Sequence, residues 1–164
     1  MNIGLLIFLR LLHIAAGTLW VGAGVFYIFF VKPSVKDLAA VGPQFMQQLV
    51  NRRKYPAFMS SMSLITILAG GALYLILSGG DVLAYVKTGP GVGFTIGALA
   101  GLLAFLVGNF GIGPLSGRMG ALGQQISSHS GPPPTDLVNQ LHVLERQLLR
   151  TERINLILLT LAII

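Results

Sequence analysis

Three long runs of apolar residues constrain the fold of this chain more than any other feature. They occupy about residues 4–31, 57–79 and 92–113, and Arg10 is the only charged side chain within them. A helix of about 20 apolar residues crosses the hydrocarbon core of a bilayer. The composition agrees, with 54% hydrophobic and 10% charged residues. The sequence therefore predicts an all-α, polytopic membrane protein built as a single domain over residues 1–164.

A fourth apolar segment begins near Arg153 and continues to the end of the sequence. Its part from Ile154 to Ile164 has 11 residues, which cover about half of a 30 Å hydrocarbon core. We interpret 153–164 as an incomplete fourth span and expect the natural chain to continue beyond it. The predicted fold is a four-transmembrane-helix bundle with short amphipathic helices on the cytoplasmic side.

Basic residues concentrate in two of the three connections between these spans. The first and third connections hold nine Lys and Arg residues, whereas the short second connection holds only Lys87. The positive-inside rule makes the two basic connections cytoplasmic and the N-terminus external, as expected for a bacterial cytoplasmic membrane. Anionic headgroups account for the net charge of +6, so no nucleic-acid partner is expected. The nine residues are Lys32, Lys36, Arg52, Arg53, Lys54, Arg118, Arg146, Arg150 and Arg153.

Both basic connections contain predicted helices. In the first, Pro43 begins a short amphipathic helix that ends at the basic residues 52–54. In the third, residues 131–134 form a loop, after which Thr135 begins a helix that continues into the fourth span.

One face of the first span carries its unusual residues. At about 100° per residue they fall within roughly a third of the helix circumference. Histidine and arginine are costly in lipid and normally face protein, a cofactor or water, so this stripe is predicted to face the bundle interior. The stripe consists of Arg10, His13, Gly17, Trp20, Gly24 and Tyr27.

The stripe has two interpretations. In the first it is a haem site, in which His13 ligates the iron, Arg10 pairs with a propionate, and Trp20 and Tyr27 complete the cofactor contacts. In the second, Arg10 reaches the outer interface and His13 hydrogen-bonds to a neighbouring helix.

Small residues line one face of the third span. In lipid, such a face lets another helix approach closely, so we interpret it as a packing interface within the bundle, with another subunit or with a second copy. A flat macrocycle lying on the glycines is the alternative. The face consists of Gly93, Gly97, Gly101, Ala104, Gly108 and Gly111.

Two methionines near the start of the second span are candidate copper ligands. The thioether sulfurs of Met59 and Met62 suit Cu(I), with Met46 or His13 joining them. Methionine is equally an ordinary filler of apolar cores. The chain has no cysteine, which excludes thiolate metal sites and covalently attached haem.

The first half of the chain resembles two related membrane-protein groups. The similar residues are Phe8 to His13, Trp20, Gly24 to Tyr27, and Arg53 to Tyr55. They resemble the HemJ type of haem-binding protoporphyrinogen oxidase and, equally, the small CopD-like (copper resistance D) proteins. This resemblance implies a four-helix fold with His13 as a haem ligand. Arg10 stands at a position where the family has a basic residue. In the HemJ type a histidine and a lysine of the third span also serve haem binding and activity, and residues 93–101 contain neither.

The function predicted first is therefore a CopD-like accessory membrane protein that holds b-type haem or copper through His13, in a redox or metal-handling role. Oxidase activity is not expected, because the third-span ligands of the HemJ type are missing. The alternative is a non-catalytic structural subunit of a larger membrane electron-transfer complex, packed through its glycine-rich helix faces.

Overall fold

The structure is a computed structural model that describes residues 2–38 and 41–163, and all regular secondary structure in these ranges is helical. Three π-helical segments interrupt the α-helices, at Tyr27–Val31, Gln48–Arg52 and Val107–Ile112. The α-helices are α1 (Ile3–Phe26), α2 (Lys32–Asp37), α3 (Gly42–Gln47), α4 (Tyr55–Leu77), α5 (Val82–Tyr85), α6 (Gly89–Leu106), α7 (Gly113–Ser127) and α8 (Thr135–Ile163).

Three continuous helices are long and apolar enough to cross a membrane. They run over Ile3–Asp37, Tyr55–Leu77 and Gly89–Ser127, which agrees with the first three predicted spans and with an integral membrane protein. The four-span bundle is not confirmed, because α8 does not qualify among the described residues. The first half of α8 is polar, and only its end from about Ile154 is apolar.

The third helix extends well past the predicted span of 92–113. It continues without a break through the π-helical segment into α7 and ends at Ser127. The π-helical segment ends two residues before Pro114, just as the segment Tyr27–Val31 ends two residues before Pro33. Proline cannot donate the backbone hydrogen bond of a regular α-helix, and the wider π turn accommodates that loss without ending the helix.

The bundle packs α1 against α4, and α6 against both α4 and α8. Trp20, Ala104 and Leu159 form its buried centre, so α1, α6 and α8 meet at one level. Hydrogen bonds also join the helices: the Tyr55 hydroxyl donates to the Ala23 carbonyl at 3.0 Å, and the Tyr74 and Thr95 hydroxyls are 2.5 Å apart.

The first connection folds back on the end of the first span, with α3 and the π-helical segment after it in the place of the predicted amphipathic helix. A Cβ built on Gly42 would lie 2.3 Å from the Val35 carbonyl oxygen, so glycine allows α3 to pack directly on α2. The non-helical part of the third connection lies between Ser127 and Thr135. Helix α8 then begins at Thr135, the residue predicted for its start.

Candidate functional site around His13

Five of the six stripe residues contact other parts of the bundle. Gly17 lies against Thr66, since a Cβ built there would be 3.5 Å from the Thr66 methyl group. Gly24 lies similarly against the Met59 methyl, at 3.6 Å. The Tyr27 ring stacks on the Tyr55 ring with centroids 5.4 Å apart. His13 contacts Thr66 of α4, and Trp20 lies in the core. Most of the stripe is therefore the face that α1 packs against α4.

Arg10 departs from the prediction that the whole stripe faces the interior. Its side chain is exposed, and it makes no ion pair with any residue that the structure describes. It lies three residues before His13, one helical turn closer to the N-terminus. Near the end of a span, a long basic side chain can extend to the headgroup region, which costs less than placing its charge between apolar helices.

The His13 imidazole is held against α4 by one hydrogen bond and one close contact. Its Nδ1 lies 2.9 Å from the Thr66 carbonyl oxygen. A Cβ built on Gly70 would lie 2.7 Å from the His13 Cε1 and 2.9 Å from its Nδ1. The ring therefore occupies space that any other residue at position 70 would fill. Thr66 and Gly70 are one turn apart on α4, and together they define the orientation of the imidazole.

This hydrogen bond also determines the tautomer of His13. A carbonyl oxygen only accepts, so Nδ1 must carry the proton and donate it to Thr66. In the neutral ring Nε2 is then left with a lone pair, and it has no hydrogen-bond partner among the described residues. Histidines that bind metals almost always show this pattern, with one nitrogen donating to a carbonyl or carboxylate and the other facing the metal.

The four predicted cofactor residues do not converge on one site. Trp20 is seven residues from His13, about 10 Å along the helix, and it is buried in the core. Tyr27 is 14 residues from His13, about 21 Å along the helix, and stacks on Tyr55. Arg10, one turn away, is the member of this set nearest to His13 along the helix.

The two predicted copper ligands on α4 lie at the core of the bundle. Met59 and Met62 pack against the core cluster that contains Trp20, which is the gap-filling role of methionine. Met59 contacts Gly24, about 16 Å along α1 from His13. Within residues 2–38 and 41–163, no three His, Cys, Asp or Glu residues cluster as a metal site would require.

The remaining histidines are remote from His13. His142 is exposed on the polar half of α8, where its Nδ1 lies 3.5 Å from a carboxylate oxygen of Glu145. His129 is exposed in the loop before α8. Both are surface residues.

The glycine face of the third membrane helix contacts α8 of the same chain at three positions. A Cβ built on Gly97 or Gly101 would meet Ala162, at 3.4 Å from its carbonyl oxygen and 3.8 Å from its Cβ respectively. A Cβ built on Gly111 would lie 3.2 Å from the Thr151 methyl. Ala104 is fully buried, whereas nothing lies within 4 Å at Gly93 or Gly108 among the described residues.

A buried ion pair was missed in the sequence analysis. Glu152 on α8 is 6% exposed and pairs with Lys32, just beyond the end of the first span. One turn further along α8, the Asn155 Oδ1 atom is buried and has no partner among the described residues. The signal was the spacing of Leu148, Glu152, Asn155 and Leu159, since polar residues at core positions of a helix need buried partners.

Comparisons of the chain with protein-family models, with curated proteins and with solved structures find no match. Inference about function therefore depends on the residues of the chain itself. Of the predicted site residues, His13 has the geometry that most restricts its chemistry.

Proposed function

We propose that this chain is a haem-binding accessory membrane protein of the CopD-like kind, with His13 as its protein ligand to the iron. The observation that carries the proposal is the 2.9 Å contact between His13 Nδ1 and the Thr66 carbonyl oxygen. This bond fixes the ring orientation and leaves the Nε2 lone pair free, as a histidine that would bind iron requires.

One residue close to His13 along the helix suits the edge of a haem. The exposed Arg10 guanidinium, one turn away, suits a propionate, with which arginine forms strong charge-assisted hydrogen bonds. No second histidine stands near His13 among the described residues, so the fit is to a haem with one protein ligand. A haem held in this way supplies one-electron transfer, and the role we propose is therefore redox rather than oxidase catalysis.

We also propose a four-helix bundle, in which the apolar end of α8 accompanies α6 into the membrane. The contacts of Gly97 and Gly101 with Ala162 support this arrangement. The N-terminus is proposed to lie outside a bacterial cytoplasmic membrane, with the basic connections inside, because of the distribution of Lys and Arg.

Copper handling fits the geometry less well, since Met59 and Met62 pack on the core and His13 contacts α4 elsewhere. The structural-subunit alternative is supported by Gly93 and Gly108, the two positions of the glycine face where no described residue lies within 4 Å of a built Cβ. Each alternative predicts a spectrum and a metal content that differ from those expected for a haem protein.

The experiment is an absorption spectrum of the purified chain after incubation with haemin, with metal analysis of the untreated sample. We expect a Soret band that His13→Ala abolishes or strongly shifts. His142→Ala is the matched control, because this exposed histidine lies on the polar half of α8. A Soret band unchanged in His13→Ala would contradict the proposal. Copper without a Soret band would favour metal handling, and neither signal would favour a structural subunit.

A further inference from the structure

An apolar groove lies at the basic end of the bundle, between the end of the first span and α3. Its volume is about 300 Å³, and among the described residues Ser34 is the one polar side chain that lines it. Phenylalanine dominates the lining, with Phe26 and Phe30 on one wall and Phe45 on the other. These three side chains are between 45% and 60% exposed, so the groove is open to its surroundings.

The chain builds this groove through a close backbone contact. Gly42 is buried against Val35, and a Cβ at this position would collide with the Val35 carbonyl oxygen at 2.3 Å. The contact holds the start of α3 on α2 and so places Phe45 opposite the first helix. On that helix, the Phe26 and Phe30 rings stack with centroids 5.5 Å apart.

The position of the groove favours a membrane lipid as its occupant. Phe26 and Phe30 belong to the last turns of the apolar run, and Lys32 follows immediately. The walls of the groove therefore lie where the hydrocarbon core meets the headgroups. At this depth an apolar groove is in contact with acyl chains, which match its lining.

Charge around the groove restricts the occupant further. The described residues 32–38 and 41–54 carry five basic side chains against one acidic side chain, Asp37, and one of the five, Lys32, also pairs with Glu152. A second copy of the chain would bring the same positive charge to the contact and would be repelled. An anionic headgroup is attracted by the same residues. The basic residues are Lys32, Lys36, Arg52, Arg53 and Lys54.

We propose that this groove binds one anionic phospholipid, with an acyl chain between the phenylalanines and the phosphate near the basic residues. The site is independent of the haem proposal, because it lies at the other end of the first span from His13.

Native mass spectrometry of the full chain, purified in detergent, tests the proposal. The protein is incubated with an equimolar mixture of phosphatidylglycerol and phosphatidylcholine, and retained lipids are counted. We expect the wild type to retain one phosphatidylglycerol in preference to phosphatidylcholine. The double variant Phe30→Ala/Phe45→Ala should lose this lipid. The control Phe94→Ala/Phe110→Ala should keep it, since both of its phenylalanines are exposed on the third helix.

A charge variant separates the headgroup from the acyl chain. Arg52→Gln/Arg53→Gln should lower the preference for phosphatidylglycerol on the order of tenfold, with phosphatidylcholine retention unchanged. Equal retention of the two lipids by the wild type would overturn the proposal. Loss of phosphatidylglycerol from the control double variant would also overturn it. A dimer that dissociates in Phe30→Ala/Phe45→Ala without any dependence on lipid would assign the groove to a second copy.

Discussion

The contact between His13 and Gly70 shows how one residue type can decide the orientation of a candidate ligand. The imidazole lies where a Cβ on Gly70 would be, and Nδ1 thereby reaches the Thr66 carbonyl. A polar side chain in an apolar bundle is costly unless it is hydrogen-bonded, so the glycine and the carbonyl together make His13 acceptable there.

Gly70→Ala should destabilise the protein by about 1 to 3 kcal/mol, because the new methyl must push the imidazole away from Thr66. Thermal unfolding in detergent measures the effect. Gly71→Ala is the control, since it is exposed with nothing within 4 Å among the described residues and should gain helix stability of up to about 1 kcal/mol. Equal effects of the two substitutions would show that His13 does not depend on Gly70.

The buried pair of Lys32 and Glu152 predicts an asymmetry between its two partners. Lys32→Met leaves a carboxylate whose side chain is only 8% exposed, which should cost on the order of 3 kcal/mol. Glu152→Gln should cost less, because the Lys32 side chain is already 32% exposed and can extend to the headgroups.

The double variant Lys32→Met/Glu152→Gln completes the cycle. We expect it to unfold at a higher temperature than Lys32→Met alone, since no buried charge is then left unpaired. Additive losses from the two substitutions would show that the ion pair does not couple α1 to α8.

At the scale of the helices, the glycine face of α6 tests whether packing occurs within the chain. Gly101→Leu should lower the thermal stability in detergent, by about 1 to 3 kcal/mol, because Gly101 is buried against Ala162. Ala98→Leu should have little effect, since Ala98 is exposed on a different side of the helix.

Gly93→Leu distinguishes the internal interface from an external one. Gly93 is exposed and nothing lies within 4 Å of a Cβ built there among the described residues. Leucine at this position should therefore leave the unfolding temperature of the isolated chain unchanged. A large loss of stability, or release of a bound partner, would indicate that the face continues into a contact between proteins.

At the scale of the whole molecule, the antiparallel helices predict which segments share one side of the membrane. Ser34 and Ser130 lie at the basic end, and Asp81 lies in the second connection at the opposite end. Single cysteines at these positions can be labelled with an impermeant reagent, because the chain has no cysteine of its own. We expect Asp81→Cys to react from outside the cell and the other two only after lysis. Labelling of Asp81→Cys and Ser130→Cys from the same side would contradict the proposed topology.

Sequence patterns were enough to predict the membrane class, the approximate positions of three spans, and most of the face of the first span that packs in the bundle. Hydropathy and helical periodicity are local properties of the chain, so they can be recognised without knowing which helices meet. The end of the third span was not predicted correctly. The helix continues past Pro114 to Ser127, because the π-helical segment before the proline accommodates it.

The polar contacts between helices were not predictable from the sequence and are seen in the folded bundle. It separated Met59 from His13, left Arg10 exposed, and joined His13 to Thr66. It also paired Glu152 with Lys32, which is 120 residues away in the sequence. Such pairs depend on how helices that are distant along the chain are shifted along their axes and rotated relative to one another. Those relations arise when the whole bundle packs, and no periodicity within a single helix contains them.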